Sequence, residues 1–251
     1  DALSASEKVK RIEANPPVEQ RGDIIVIGKI DDPELRKNVS ISYEITVPAD
    51  SKLRTQSGSG DIDVAGVNGT LRASTGSGNV NAKQIGNEVR VNTGSGDVRL
   101  DAVKGRVYAT AGSGNVQAYA VSGGFYGQTG SGDITFEQNT SGDVTVKTGS
   151  GNIRAKYVKG GLDAHTGSGD IEVDGEAKGD WNVSAGSGNI SLRLPQNSAF
   201  TVDARSSSGQ VSVNHPVTIQ GTVKRNRLQG KVGAGGVLLS LESGSGNIRI
   251  D

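Results

Sequence analysis

Thr93-Gly-Ser-Gly-Asp97-Val98 is one copy of a corner motif that recurs along this chain of 251 residues. Each regular copy ends in Asp or Asn, and the successive gaps between the first eight, counted in sequence positions, are 18, 18, 18, 18, 19, 18 and 19. A degenerate copy ends at Gln210. The regular copies end at Asp61, Asn79, Asp97, Asn115, Asp133, Asn152, Asp170, Asn189 and Asn247. A short fixed period is typical of a solenoid, in which each repeat stacks on its neighbours.

Apolar and polar residues alternate on both sides of every corner, which predicts two short β-strands per repeat with one buried face. One apolar column lies directly after the Asp or Asn: Ile62, Val80, Val98, Val116, Ile134, Ile153, Ile171, Ile190, Val211 and Ile248. A second column lies eight positions before it: Leu53, Leu71, Val89, Val107, Phe125, Val144, Leu162, Trp181, Val202 and Leu239. The sequence therefore predicts an all-β fold, a single-stranded parallel β-helix or solenoid of about ten coils around a continuous core. Parallel connections are overwhelmingly right-handed, which favours a right-handed solenoid.

The charges on the outer surface distinguish a coil made of one repeat from a coil made of two. Four positions after each corner Asp or Asn, the outward residues read Lys83, Asp101, Tyr119, Glu137, Lys156, Asp174 and Arg193. Coils of one repeat place mostly unlike charges on neighbouring strands, whereas coils of two repeats would stack the carboxylates into a ladder. Like charges on paired strands are unfavourable. We therefore predict one repeat per coil, which is about 18 residues.

The two ends of the chain depart from the repeat. Residues 1–50 are predicted to hold a short helix from Ser4 to about Glu13, with a Ser4–Glu7 capping box, and then strands near 23–30 and 39–47 that belong to irregular first coils. Residues 51–213 form the regular coils, and residues 214–251 hold either a distorted coil or an inserted hairpin before the final coil. All three parts are predicted to make one continuous domain.

The amino-acid composition excludes or disfavours several classes of function. The chain has 27 basic and 27 acidic residues, and this neutrality argues against a general nucleic-acid or anionic-membrane binder. It has no cysteine, so disulfides, thiolate metal sites and a cysteine nucleophile are excluded. No apolar run approaches the roughly 18 residues that a membrane span needs, so no transmembrane segment is predicted. The chain also has no methionine, even at position 1, and we expect a processed product compatible with a cleaved export signal.

The repeat resembles a known bacterial family. Thr129–Ile134 and Thr166–Ile171 carry the pattern Thr-Gly-Ser-Gly-Asp-Ile, and Ile45-Thr-Val-Pro48 resembles the strand that precedes it. These features are similar to the "putative adhesin" family of β-strand-repeat proteins, a domain of unknown function, from about Val39 to the C-terminus. The resemblance implies an exported β-helix of the cell envelope, the periplasm or the extracellular space, without known catalysis. It supplies no catalytic residues.

One outward column is the candidate ligand-binding site. Seven positions before the corner Asp or Asn, the first five repeats read Arg54, Arg72, Arg90, Tyr108 and Tyr126. Guanidinium groups prefer carboxylate or phosphate partners, and phenol rings can stack on sugars, so this column suits a polysaccharide or a surface protein. The alternative is a solvated face whose arginines pair with carboxylates of the N-terminal segment, such as Glu44.

The corner residues raise the question of calcium. Gly-Ser-Gly-Asp is similar to the glycine-rich turns of calcium-binding β-rolls, but calcium wants six to eight oxygen ligands and half of these corners carry neutral Asn. We interpret the nine Asp and Asn residues as a structural turn ladder, in which their side chains accept turn N–H groups and tolerate left-handed backbone while Gly makes the corner. No metal and no cofactor are predicted.

Other candidates are weaker. The loop Lys224–Arg227 with Lys231 could bind an anion, although a short charged turn is usually only solvated. The threonines before the corners, such as Thr93, share the inward parity of the core, which favours a hydrogen-bonded ladder over an ice-binding row. Only His165 and His215 are present, in different regions, and no long loop builds a cleft, so no enzyme is predicted.

The sequence therefore predicts a non-enzymatic, adhesin-like solenoid. The alternatives are a structural element that self-associates through the solenoid ends, at Gly244–Asp251 and the N-terminal segment, and a carbohydrate-active β-helix enzyme.

Overall fold

A computed structural model describes residues 3–219 and 224–251. The chain divides into two compact units, Asp1–Val47 and Pro48–Asp251. In the first unit, helix α1 spans Ala5–Ala14, and Ser4 caps it as predicted. The backbone N–H of Glu7 donates to Ser4 Oγ (3.3 Å), and the Ser4 N–H donates to the Glu7 carboxylate (2.9 Å). This reciprocal capping box satisfies two N–H groups that no helical carbonyl can reach.

The strand predictions for the first unit need correction. Strands β1 (Val18–Arg21) and β2 (Ile24–Ile27) form their own two-stranded antiparallel sheet, so the predicted strand near 23–30 is not a solenoid coil. A one-turn helix, α2, follows at Pro33–Arg36. Residues 39–47 contain no strand, although they alternate, and Tyr43 and Ile45 lie exposed. Alternation predicts which side chains share a face, but a strand also needs a ladder partner.

The second unit is the predicted all-β solenoid, and each coil gives one strand to each of two stacked rows. Face A holds the strands that lead into the corner: β3 (Leu53–Ser57), β5 (Leu71–Thr75), β7 (Val89–Thr93), β9 (Val107–Ala111), β11 (Phe125–Ser131), β13 (Val144–Ser150), β17 (Phe200–Ser206) and β21 (Leu238–Ser245). Face B holds the strands that follow it: β4 (Ile62–Val67), β6 (Val80–Ile85), β8 (Val98–Val103), β10 (Val116–Val121), β12 (Ile134–Gln138), β16 (Ile190–Arg193), β18 (Val211–Val213) and β22 (Ile248–Ile250). The long strands β14 (Ile153–Ser168) and β15 (Ile171–Ser187) bend, and each serves both faces.

The strand register confirms that each coil is one repeat long. Leu53 pairs with Leu71 and Leu71 with Val89, all in parallel, so each residue lies beside its equivalent in the next repeat. Eight coils follow one another in sequence order, beginning at Leu53, Leu71, Val89, Val107, Phe125, Val144, Leu162 and Trp181. Both apolar columns point inward, and Trp181 is fully buried. Right-handedness stays a prediction from the connection rule.

The last coils are stacked out of sequence order, which the repeat did not predict. Strand β21 pairs with β15 on one edge and with β17 on the other, and β22 lies in the same way between β16 and β18. The C-terminal strands are therefore inserted between the coil that ends at Arg193 and the coil that begins at Phe200. Stacking in chain order and the observed stacking with inserted strands both align the corner motifs, so the motif alone does not show which of the two occurs.

An antiparallel hairpin covers the far edge of the stack on face A. Strand β20 (Arg227–Val232) pairs with the free edge of β17, and β19 (Val217–Ile219) pairs with β20. The predicted irregular segment 214–251 thus forms a hairpin and an inserted coil, while residues 220–223 within it lie outside the described residues. Antiparallel pairing here leaves β17 without an open edge in the described residues, which protects against edge-to-edge association.

The glycines of the corner are required by stacking. A Cβ atom on Gly96 would collide with the carbonyl oxygen of Gly78 in the preceding turn, and a Cβ atom on Gly78 would collide with the carbonyl oxygen of Gly60. The predicted left-handed role of the Asp and Asn residues is wrong, because none of them has a positive φ in the described residues. Left-handed backbone occurs five positions later, at Gln84, Ala102, Ala120 and Tyr157, with φ of 53–59°. Close approach of neighbouring backbones therefore requires glycine at these corners, and at Gly169 a φ of 144° is a second reason.

Candidate binding face

Face A of the first five coils brings the predicted ligand-binding residues into one column. Arg54 lies beside Arg72, Arg72 beside Arg90, Arg90 beside Tyr108, and Tyr108 beside Tyr126. All five point outward from strands whose alternate residues are in the core. Parallel strands are about 4.8 Å apart, so the column places a cation or a ring at every such step. We call these five residues the Arg/Tyr column.

The upper part of the column is held by contacts between its own members. The Arg90 guanidinium carbon lies 4.3 Å from the centre of the Tyr108 ring, within the range of a cation–π interaction. The Tyr108 and Tyr126 ring centres are 6.3 Å apart at an interplanar angle of 39°. Tyr126 donates its hydroxyl hydrogen to Gln128 Oε1 (2.6 Å). The aromatic end of the column is therefore ordered before any ligand arrives.

The Arg/Tyr column is flanked by a neutral column, and one of its arginines is paired with a carboxylate. The parallel outward column on face A carries only uncharged polar side chains over the same coils: Gln56, Ser74, Asn92, Thr110 and Gln128. The carboxylate paired to the column is Glu88, which accepts from Arg90 Nε at 2.7 Å. That hydrogen bond raises the pKa of Arg90 above its ordinary value. A hydrogen bond to Tyr108 likewise raises the pKa of Arg106.

Two of the arginines keep their guanidinium groups available. Arg54 and Arg72 form no ion pair within residues 48–219 and 224–251, and both are exposed. The predicted alternative partner, Glu44, lies in the N-terminal unit, which is a separate compact body. Within the second unit, an anionic ligand on face A would therefore meet two guanidinium groups without an ion pair before it reached the ring pair.

The corner Asp and Asn residues form a continuous side-chain ladder along one edge of the stack. Asn79 N–H donates to Asp61 Oδ1 (2.7 Å), Asp97 N–H to Asn79 Oδ1 (2.9 Å), and Asn115 N–H to Asp97 Oδ1 (2.7 Å). The same bond recurs through Asp133, Asn152, Asp170, Asn189, Asn247 and Gln210. The last steps follow the spatial order of the coils rather than the chain order. Each side chain thus fixes the spacing of two successive turns.

The alternation of Asp and Asn has a chemical reason in this ladder. The Asn115 amide also donates Nδ2–H to Asp97 Oδ1 (3.2 Å), and Asn152 and Asn189 donate in the same way to the Asp below. Two neighbouring carboxylates could not exchange such bonds and would repel one another. The carboxylates are engaged by N–H donors, and no cluster of three or more potential metal-ligating side chains occurs among residues 3–219 and 224–251.

The threonine column is inward and hydrogen-bonded. Thr93 Oγ1 donates to the carbonyl of Gly78 (2.9 Å) and accepts the N–H of Gly96 (3.1 Å), and it is 1% exposed. The same pattern joins Thr75 to Gly60 and Gly78. These hydroxyls link one turn to the next and present no row to the solvent.

The remaining candidate residues are dispersed. Lys224 and Arg227 close a two-residue turn through paired backbone hydrogen bonds, and Lys231 lies in β20. A groove of about 420 Å³ opens beside the half-exposed Tyr157, with side chains of both charge signs around it. No helix in the described part of the chain is long and apolar enough to cross a membrane.

Sequence reasoning missed one cluster further along face A. It treated the two histidines as separate, but His165 lies between Asp163 on its own strand and Ser184 on the next. The coil that joins these strands is one position longer than most, so residue 165 pairs with residue 184. That register is readable from the spacing of the corners and would have revealed the cluster.

Comparison with known proteins identifies the family. The family model described as Toastrack DUF4097 matches residues 34–106 and 105–251. A solved structure of a putative cell adhesion protein from Clostridium sporogenes is 22% identical at a TM-score of 0.37, and the match covers 44% of this chain and 55% of that chain, about half of its length. No curated protein matches the sequence. Because the family model matches residues 34–251, well over half of the chain, this chain belongs to the Toastrack DUF4097 family.

Proposed function

We propose that this chain is an adhesin-like solenoid, exported to the cell envelope or beyond it, that binds an acidic polysaccharide along face A. The observation that carries the proposal is the Arg/Tyr column, three guanidinium groups and two phenol rings in register on five successive strands. The binding itself needs no catalysis. A protein surface with a similar row of carboxylates is the alternative ligand.

A polysaccharide suits the Arg/Tyr column because the guanidinium groups lie at one end of the column and the phenol rings at the other. Guanidinium groups bind carboxylates with planar, paired hydrogen bonds, and phenol rings offer flat apolar surfaces and a hydroxyl to a sugar. The neutral amides of Gln56 and Asn92 beside the column add donors and acceptors for sugar hydroxyls. A linear polymer aligned with the stack would meet all five residues in sequence, with its acidic groups toward Arg54 and its rings toward Tyr126.

The rigidity of the solenoid supports the proposal energetically. Ordering a flexible loop on binding subtracts from affinity, whereas strands already fixed by a ladder on both edges lose little freedom. Strands β5, β7, β9 and β11 each have a parallel partner on either side. The Asp/Asn ladder and the inward threonines hold the same coils at the corner. Affinity then depends on the side chains that the face presents.

Self-association through the C-terminal end receives less support. That alternative requires open strand edges at Gly244–Asp251, but β21 and β22 lie inside the stack with a partner on each edge. A polymer built from these strands would have to displace existing ladders. The antiparallel hairpin β19–β20 further covers the terminal coil on face A.

Binding to a surface-immobilised acidic polysaccharide, polygalacturonate, tests the proposal, with dextran as the neutral comparison. The variant Arg54→Ala/Arg72→Ala/Arg90→Ala removes three charges from face A. The matched control, Arg99→Ala/Arg154→Ala/Arg249→Ala, removes three outward charges from face B. We expect the first variant to bind at least about tenfold more weakly, about 1.4 kcal/mol, and the control to bind like the wild type. Equal losses in the two variants would reduce the interaction to net charge and refute a site on face A.

A further inference from the structure

Three side chains on the outer surface of face A are arranged as a nucleophile, a base and a carboxylate. His165 Nδ1 lies 2.6 Å from Ser184 Oγ, and His165 Nε2 lies 2.5 Å from Asp163 Oδ1. The carboxylate can only accept a hydrogen bond, so the ring proton is on Nε2. Nδ1 is then the acceptor for the hydroxyl hydrogen of Ser184. The same sequence of serine, imidazole and carboxylate activates a serine in unrelated hydrolases, where the two ring nitrogens have the opposite roles.

The carboxylate is held in place by further donors. Lys147 Nζ lies 3.2 Å from Asp163 Oδ2, and Asn182 Nδ2 donates to Asp163 Oδ1 at 3.3 Å. Partial burial by itself raises the pKa of Asp163, but Lys147 and His165 outweigh it and hold that pKa below its ordinary value. Asp163 therefore remains ionised and can orient the imidazole and stabilise the charge that forms on it.

The cluster is accessible and fixed by strand register. The side chains of Asp163 and His165 are each about one-third exposed (35% and 33%). Residues 163 and 165 pair across parallel strands with 182 and 184, so backbone ladders determine the spacing of all three groups. Glu242, the neighbour of Ser184 on the other side, is already paired with Arg205 at 2.8 Å. A substrate carbonyl can reach Ser184 Oγ from the solvent.

We propose that Ser184, His165 and Asp163 form a hydrolytic triad that cleaves small acyl esters. Ser184 Oγ attacks the ester carbonyl carbon while its proton moves to His165 Nδ1. The tetrahedral intermediate collapses, the bond to the alcohol oxygen breaks, and His165 returns the proton to that oxygen. Water then attacks the acyl-serine, gives a proton to Nδ1, and the proton returns to Ser184 as the acid leaves. The net reaction is ester and water to acid and alcohol.

The surroundings determine the class of substrate and the rate. The site lies on an open sheet rather than in a cleft, so it has no pocket for a long acyl chain, and short acyl groups such as acetyl fit it best. The backbone N–H groups of the paired strands are used in the ladder, and Asn182, two residues before Ser184 on the same face, has a second amide N–H besides the one donated to Asp163 as a donor for an oxyanion. A single such donor predicts slow turnover, because stabilisation of the oxyanion usually contributes most to the rate of acyl transfer.

The repeat supplies a matched control. Ser74 occupies the same position of the repeat as Ser184, five positions before a corner Asn, and is half-buried like it. Its ladder partners on the neighbouring strands are Gln56 and Asn92, so it has no imidazole base beside it. Any reactivity that belongs to an outward serine as such would appear equally at Ser74.

The test uses the full chain with p-nitrophenyl acetate as substrate and a fluorophosphonate as a serine-directed probe, and the emission of Trp181 monitors folding. We expect hydrolysis above the spontaneous rate and a phosphonyl adduct on Ser184 in peptide mass spectra. Ser184→Ala should lose the protein-dependent rate, His165→Gln should lower it by on the order of 10²-fold or more, and Ser74→Ala should not change it. A folded Ser184→Ala variant that keeps the wild-type rate, or a protein that gives no adduct on Ser184, would overturn the proposal.

The result of the hydrolysis test does not depend on whether face A binds a polysaccharide. Asp163 lies in the same outward column as Tyr126, with Thr145 between them, so a polymer bound to the Arg/Tyr column would run toward the triad. The small ester does not need the column. Failure of the wild type to bind polygalacturonate would therefore leave the expected hydrolysis of p-nitrophenyl acetate unchanged, and absence of hydrolysis would leave the expected binding unchanged.

Discussion

The corner glycines allow the importance of stacking to be tested by a pair of identical substitutions in different coils. Gly58 and Gly94 are both the first glycine of a Gly-Ser-Gly corner, and neither has a left-handed φ. A Cβ atom on Gly94 would collide with the carbonyl oxygen of Gly76 in the turn before it, whereas a Cβ atom on Gly58 would meet nothing within 4 Å. The two sites therefore differ in stacking and not in backbone conformation.

The expected magnitudes follow from that difference. Gly58→Ala should stabilise the protein by about 0.4–1 kcal/mol, because Ala restricts the unfolded chain and the native backbone accepts it. Gly94→Ala has the same gain but must separate two packed turns, and overpacking typically costs about 1–3 kcal/mol. The net effect at Gly94 is a loss of up to about 2.6 kcal/mol, and the gap between the two variants is about 1–3 kcal/mol.

Thermal unfolding followed by far-ultraviolet circular dichroism measures this gap. For a domain of this size, a loss of about 1 kcal/mol lowers the midpoint by about 2–4 °C. We expect the midpoint of Gly58→Ala at or above that of the wild type and the midpoint of Gly94→Ala below it. Equal losses in the two variants would show that the corner needs glycine for its own backbone shape, which would refute a requirement imposed by stacking.

Three further substitutions probe other parts of the stack. Ala120→Gly should raise the thermal midpoint by about 1–3 °C, because relief of a left-handed φ of 53°, worth about 1–2 kcal/mol, exceeds the added flexibility of glycine; a lower midpoint would contradict strain at this position. Asn115→Asp should destabilise the protein by about 1–2 kcal/mol at neutral pH, through repulsion of about 1 kcal/mol from each flanking ladder carboxylate. Because that repulsion exists only while the carboxylates are ionised, the difference from the wild type should shrink in acid unfolding titrations, and a pH-independent loss would exclude it. Trp181→Phe should cost about 1–3 kcal/mol in urea unfolding, since the indole N–H donates to the Gly160 carbonyl at 2.9 Å and its loss leaves that acceptor without the bond; an unchanged midpoint would show that water replaces the indole.

The solenoid could be predicted because the corner motif occurs in every repeat and determines how neighbouring strands align. The corner spacing determined which strand positions align, and the alternation on either side determined which of them are buried, so Leu71, Val89 and Trp181 were correctly placed in the core. The out-of-order insertion of Leu238–Ile250 could not be predicted in this way. Neighbours on a parallel stack need only matching corners, and several orders satisfy that condition equally.

In the first unit, the alternation of apolar and polar residues did not correctly predict a strand. Residues 39–47 alternate as regularly as any solenoid strand, yet they form none, because strand formation depends on a partner edge that alternation does not specify. The left-handed residues Ala102, Ala120 and Tyr157 were missed for a different reason. They give no glycine signal in the sequence, and glycine is the residue from which a left-handed backbone is usually predicted.

The candidate site was predictable in position but not in detail. Outward parity and the constant repeat step were enough to align Arg54, Arg72 and Arg90 with the two tyrosines. The cation–π contact of Arg90 and its pairing with Glu88 depend on rotamers and on the turn that precedes the strand, which the repeat does not encode. The triad follows from the same alignment, because His165 and Ser184 both lie five positions before a corner residue, but its hydrogen bonds depend on rotamers that the repeat does not encode.

A structure of the protein with a bound acidic oligosaccharide tests the central claim most directly. The account predicts sugar carboxylates within hydrogen-bond distance of the Arg54 and Arg72 guanidinium groups and a sugar ring against Tyr108 or Tyr126. An oligosaccharide bound on face B, or in the groove beside Tyr157, with face A empty, would contradict it.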